Sequence, residues 1–210
     1  MRRSFSSFAF MTLLIVSMGC SKQSAEDKAR TDDTKLARSA AQQLVDRFQK
    51  NLKRELTAEL NSPGGSAHAI EVCQSRAPEI TRAATGSQAV SFRRVSDRSR
   101  NPENAASAHQ IEILNRFASE RALKFLDEWQ VVDTLSYYRY YLPILVQLLC
   151  VKCHGDHLQI DDATAATLTS LYPGDRAIGY QVGDLRGMFV IEMAWPEAET
   201  YARTLASDTL

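Results

Sequence analysis

Arg186-Gly187-Met188-Phe189-Val190-Ile191-Glu192-Met193 is the stretch that decides the fold. It is short, apolar and rich in bulky side chains, which suits a strand better than a helix. Val182-Gly183-Asp184 stands just before it and has the composition of a tight turn. Residues 176–181, on the other side of that turn, read as a second strand. Strands joined by so short a turn run antiparallel. Further upstream, residues 125–142 carry Tyr137, Tyr138, Tyr140 and Tyr141 and predict a strand pair, which Pro143 interrupts. Residues 88–95, with Val90 and Phe92 in alternation, predict another strand.

The remaining segments have helical patterning. Leu36, Ala40, Leu44, Phe48, Leu52 and Leu56 recur every four residues and predict a helix, capped by Asp33 or Thr34. Asn61-Ser62-Pro63-Gly64-Gly65 ends it. Shorter helices are expected over residues 67–74 and from Pro78 to near Gly86. Others are expected over 106–121, over 161–171 behind Asp161 or Asp162, and from Pro196. Residues 96–104 read as a polar loop, and no internal repeat is visible. The expected class is α+β, an antiparallel sheet flanked by helices with one helix N-terminal to it.

Cys150-Val151-Lys152-Cys153-His154 carries the chemistry. Cys-x-x-Cys-His is the attachment signal for c-type haem. Two thiols so spaced reach the two vinyl groups on one ring edge, and the next residue offers an imidazole to the iron. One covalent haem c is therefore expected, on Cys150, Cys153 and His154. A thioredoxin-like site would need a βαβ context that the flanks do not suggest. Zinc would need a fourth ligand, and only His157 is close by. A disulfide is the remaining alternative in an oxidising compartment.

The N-terminus agrees with export. Met1-Arg2-Arg3 is basic, and residues 8–18 are apolar but too short for a standard membrane span. Ser17-Met18-Gly19-Cys20 resembles a bacterial lipobox, with Ser17 where an aliphatic residue is usual. Residues 1–19 thus read as a lipoprotein signal peptide, with an ordinary signal peptide as the alternative. Residues 20–34 read as a polar tether, and residues 35–210 as the haem domain. Lipid on Cys20 would anchor the protein to a membrane, and Ser21 points to the outer one. The expected location is the periplasm. Net charge is zero, with 25 basic and 25 acidic residues, and no basic run suggests nucleic acid.

What stands opposite His154 is open from the residues alone. Cys73, His68, His109, His157, Met188 and Met193 are candidates. Met188 and Met193 have core surroundings, and a buried cysteine is ordinarily a small hydrophobe. Arg93, Arg94, Arg98 and Arg100 have the guanidinium fork that suits haem propionates, and Arg94 and Arg100 are the selected pair. The alternative for them is solvated charge or bracing ion pairs. Tyr138, with Tyr140 and Tyr180, could reach a propionate or pack on the ring.

Four ordered blocks carry a family resemblance. They are Ala69-Ile70-Glu71-Val72-Cys73 with Ala77-Pro78-Glu79-Ile80, and Arg93-Arg94-Val95-Ser96 with Arg100-Asn101-Pro102-Glu103-Asn104. Cys150-Val151-Lys152-Cys153-His154-Gly155 is the third, and Tyr172-Pro173-Gly174-Asp175-Arg176-Ala177, Gly179-Tyr180, Gly183-Asp184 and Arg186-Gly187 form the fourth. Together they resemble the c-type haem, PAS-like periplasmic domains long catalogued as a family of unknown function. The resemblance implies a PAS-like fold over most of residues 36–193 and makes Cys73 the second iron ligand. A thiolate opposite an imidazole favours ferric iron and a low potential. Its loss on reduction would open a coordination position.

The expected function is therefore a redox- or small-gas-sensing haem module, responsive to CO or NO, that signals to a separate partner protein. A periplasmic monohaem electron carrier is the alternative. A peroxidase-like enzyme is disfavoured, because Cys73 would block the position that peroxide needs.

Overall fold

The computed structural model describes residues 16–207, and side chains from residue 26 onward. Residues 1–15 of the expected leader and the side chain of Cys20 lie outside that range. The chain divides into two units, residues 1–35 and residues 36–210. Among the described residues, no helix is long and apolar enough to cross a membrane.

Helix α1 spans Val16–Leu60 and so begins well before the expected caps at Asp33 and Thr34. Residues 21–34 contain neither proline nor glycine, so no strong breaker stops the helix there. Thr34 does not cap; its hydroxyl donates back to the Arg30 carbonyl at 2.7 Å, within the helix. Helix α2 (Gly65–Glu71) runs into a single π-helical turn, Val72–Arg76, and then into α3 (Ala77–Thr85). Gly86, at φ +56°, ends α3 in the left-handed conformation. Strand β1 (Val90–Val95) follows, then a 3-10 turn over Pro102–Asn104 and helix α4 (Ala108–Ser119). Ser107 and Gln110 close a reciprocal capping box on α4. Strands β2 (Leu126–Val132) and β3 (Leu135–Leu145) form a hairpin. The single-turn helix α5 (Val151–His154), helix α6 (Asp162–Leu171), strand β4 (Leu185–Trp195) and helix α7 (Glu199–Ser207) complete the chain.

The protein is α+β, with one antiparallel sheet in the order β1-β4-β3-β2. Strand β4 is central, as its apolar sequence requires. Its alternation divides the core. Phe189, Ile191 and Met193 face α1 and α7, where they meet Ala40, Leu44, Phe48, Ala202 and Leu205. Met188 and Val190 face α4 and meet Ile113, Leu114 and Phe117. Phe48 packs against Phe92 and Phe189 with ring centroids 5.0 and 5.7 Å away. Gly187 lies against β1 so closely that a Cβ would stand 2.3 Å from the Val95 carbonyl oxygen.

Two sequence expectations fail here. Pro143 does not interrupt a strand: it pairs with Met188 inside β3. It lies beyond the last β2 pair, Leu126 with Tyr141, where one side of β3 has no ladder to lose. Residues 176–181 are not a strand at all. Their polar backbone groups are drawn to the Cys150–His154 motif instead, as described below. The partners of β4 are β1 and β3.

Phe48 is fully buried at the centre of this packing. Phe48→Ala is expected to cost about 3–5 kcal/mol in urea unfolding. A loss below about 1 kcal/mol would mean that α1 does not seal the sheet.

Candidate haem-attachment site

The motif begins with a tight turn. The Cys150 carbonyl accepts from the N–H groups of Cys153 and His154 at 3.1 and 2.9 Å. One helical turn results, and it places Cys150, Cys153 and His154 on one side. Gly155 closes it, where a Cβ would lie 2.5 Å from the Val151 carbonyl oxygen. Cys73, Cys150 and Cys153 are free thiols, so no disulfide engages the motif.

Residues 176–181 form a platform beneath the motif. Gly179 N–H donates to the Gly155 carbonyl at 2.7 Å, and Tyr180 N–H donates to the His154 carbonyl at 2.9 Å. The Ala177 carbonyl receives Nδ1 of His154 at 2.7 Å. A carbonyl has no proton to give, so Nδ1 carries the hydrogen and Nε2 carries the lone pair. This is the orientation of a metal-binding histidine whose other nitrogen is held by a backbone acceptor. Burial, reinforced by Arg100 and Arg186, lowers the imidazole pKa from 6.5 to about 3. The ring therefore stays neutral.

Arg100 locks motif and platform together. Its Nε donates to Asp175 at 2.8 Å and its Nη2 donates to the Cys153 carbonyl at 2.6 Å. Both side chains are buried, 8% and 10% exposed, so this is an interior ion pair. The sequence offers Arg100 as a propionate partner, but its Nε and Nη2 are engaged by protein instead. Arg93 donates to the Glu103 carbonyl, and Arg98 donates to the carbonyls of Arg176 and Ile178.

Arg94 differs. Its guanidinium lies 5.2 Å from the Phe48 ring centroid. Among the described residues it has no hydrogen-bond or ion-pair partner. Burial lowers its pKa, offset by the neighbouring groups of Cys73 and Tyr172.

Cys73 lies on the π turn, partly exposed. The wider turn is completed by Ala77 N–H, which donates to the Val72 carbonyl. Such turns recur at functional sites. Helix α2 packs on α5 and α6, which carries the turn to the motif. Burial raises the Cys73 pKa, and Arg94, Arg100 and Arg186 oppose that rise. Cys73 in turn helps raise Cys153, whose pKa burial pushes up to about 11. These mutual effects bring Cys73, Cys150, Cys153 and the arginines into one neighbourhood.

The other ligand candidates have structural surroundings. His68 pairs with Glu59 and Glu71 at 3.1 and 3.4 Å. His109 pairs with Glu128 at 3.1 Å, in a groove of about 340 Å³ that also contains Arg139, Tyr141 and Glu192. His157 lines a groove of about 550 Å³ beside the motif, with Ile160, Leu168 and Tyr172. Met188 and Met193 are fully buried in the core. Tyr138 is corrected as a propionate contact: it is fully buried under α1, and its hydroxyl donates to Asp127 at 2.6 Å. Strand alternation puts it on the α1 face, against Trp129.

The sequence reading gave Arg186 no role. Its Nη1 donates to Ser96 Oγ at 2.9 Å, but its Nε is buried without a partner, as is the hydroxyl of Tyr180. Position within the Arg186-Gly187 block was the only signal available.

His154 has a measurable linkage. Its folded pKa lies below the 6.5 of a free imidazole, so the unfolded chain takes up the proton first as pH falls. Its contribution is complete above about pH 6.5 and is lost as pH falls toward about 3. Haem-free wild type and His154→Gln should be unfolded in urea between about pH 7 and about pH 4. The wild type should lose up to a few kcal/mol more than the variant. Parallel pH profiles would contradict the buried neutral imidazole.

Comparison with known proteins follows the same lines. No curated protein matches the chain. Among solved structures it is similar to the crystal structure of the cyanobacterial heme-protein Tll0287, with a TM-score of 0.56 and 23% identity. That match covers 73% of this chain and 92% of the other, and at that identity it speaks for the fold. The Tll0287-like family profile matches residues 22–194, from within α1 to the end of the sheet. The chain belongs to the Tll0287-like family.

Proposed function

We propose that this chain is a c-type haem protein whose PAS-like domain senses redox state or a small gas. The observation that carries the reading is the His154–Ala177 bond within the Cys-x-x-Cys-His turn, because it leaves Nε2 free beside two thiols. The solved relative is itself a heme-protein, which supports the same cofactor here. The residues fit the group in three ways. Two thiols share one helical turn, one imidazole has a fixed tautomer, and a third thiol lies on the facing π turn. Bound haem would supply a one-electron iron centre able to bind diatomic gases.

Cys150 and Cys153 hold the cofactor. Their two thiols would attach haem through thioether bonds. His154 presents Nε2 and keeps its Nδ1 proton on Ala177. Cys73 would supply the second ligand, with the arginines around it opposing the burial that raises its thiol pKa. The chain acts by binding rather than by catalysis, and passes its state to a periplasmic signalling or redox partner.

A lipid on Cys20 would hold the protein on a membrane, the outer one by its Ser21, and export agrees with c-type haem attachment. The electron-carrier reading has one observation in its favour. Leu145, Leu148, Leu158, Ile178 and Val182 are exposed around the motif, an apolar surface on which a redox partner can dock.

Haem staining after denaturing electrophoresis tests attachment. Wild type should stain, and Cys150→Ala with Cys153→Ala should not. Cys73→Ala should keep covalent haem yet change the ferric absorption spectrum; an unchanged spectrum removes Cys73 as ligand. CO binding to the ferrous form with spectral change favours the sensor, and fast electron exchange without ligand change favours the carrier. Cys20→Ser should release the protein from membranes.

A further inference from the structure

The two unsatisfied buried groups near His154 point to a binding function of their own. The Tyr180 hydroxyl and the Arg186 Nε have no hydrogen-bond partner, and Tyr180 is only 3% exposed. Leaving such a group unpaired is costly, more so when it is charged, so folded proteins seldom do it. The two residues are neighbours, with the Arg186 guanidinium 5.4 Å from the Tyr180 ring centroid. Both belong to the motif's surroundings. The Tyr180 ring meets the His154 ring edge-on at 6.4 Å. Arg94 and Arg186 both act electrostatically on His154, and Arg94 also acts on Cys73.

Charge narrows the ligand. Arg98 and Arg100 are engaged by backbone carbonyls and by Asp175. Among the described residues, neither Arg94 nor Arg186 has an acidic partner. A water would satisfy the two donors but bring no charge to the buried Arg186 guanidinium, on which Asp175 acts without an ion pair. An apolar group would satisfy neither. A carboxylate does both, because it accepts two hydrogen bonds and neutralises a guanidinium.

We propose that Tyr180 and Arg186 form a cradle for one haem propionate, with the Tyr180 hydroxyl and Arg186 Nε as hydrogen-bond donors. This rests on the haem reading above and adds to it which residues orient the ring. It replaces Arg100 and Tyr138, which the fold uses elsewhere. Arg186 also braces β4, through Ser96 Oγ and the Arg98 carbonyl at 3.2 Å. Tyr180 has no such duty for its hydroxyl.

Resonance Raman spectra of the haem-loaded protein test the cradle through the propionate bending band. Tyr180→Phe removes one donor and nothing else, and Arg186→Gln removes the charge. Each should shift the band to lower frequency and make the midpoint potential more negative, while covalent haem content stays at the wild-type level. A band and potential unmoved in Tyr180→Phe, with haem attached, mean that only an internal water meets the hydroxyl, and the cradle is wrong. Arg186→Gln is read only if it folds; Tyr180→Phe decides otherwise. A wild type without covalent haem would overturn the haem reading itself, an outcome that haem staining separates from failure of the cradle.

Discussion

The Arg100 guanidinium holds three separate pieces of chain in one place. It starts from the loop after β1, reaches the Cys153 carbonyl in the motif, and pairs with Asp175 at the head of the platform. A buried ion pair of this kind is a poor source of net stability, because desolvation offsets most of the attraction. Its worth lies in position. The motif has only one helical turn and a small apolar cluster of Val146, Val151, Ala177 and Tyr180. So little buried surface cannot fix a ring orientation alone. Directional bonds from a planar fork can.

The same arginines set the electrostatics of the site. Arg94, Arg100 and Arg186 all lower the proton affinity of His154, and all oppose the rise that burial gives the Cys73 pKa. Burial, with that cationic field behind it, keeps the imidazole unprotonated; at Cys73 burial prevails over the same field and the thiol pKa stays raised.

Much of this was legible in the sequence. Bulky alternating residues marked β4 as a core strand, and the four-residue spacing from Leu36 marked the helix that covers it. The Cys-x-x-Cys-His spacing marked the turn in which the fold brings two thiols and one imidazole together. Other features were not legible, for identifiable reasons. Residues 176–181 have strand-like composition, but their hydrogen-bonding groups serve the motif, and only tertiary contact reveals that. Tyr138 and Tyr180 are alike as letters; strand phase puts one in the core, and the platform puts the other beside His154. The early start of α1 follows from helix propensity in a polar stretch that lacks any apolar period. The value of Arg186 depends on one nitrogen left unpaired, which no residue pattern encodes.

The π turn that carries Cys73 makes the placement of this thiol a matter of counting. A π turn has one residue more than an α turn, closed here by the bond from Ala77 to Val72. Deleting any one residue between Val72 and Arg76 would let α2 and α3 merge into a single α-helix. Everything on one side would then rotate by about 100° relative to the other and move about 1.5 Å closer. The register of the sulfur is therefore open to insertion and deletion. Related chains can differ in which side chain faces the motif while agreeing at nearly every aligned residue, and a survey limited to substitutions would miss the change.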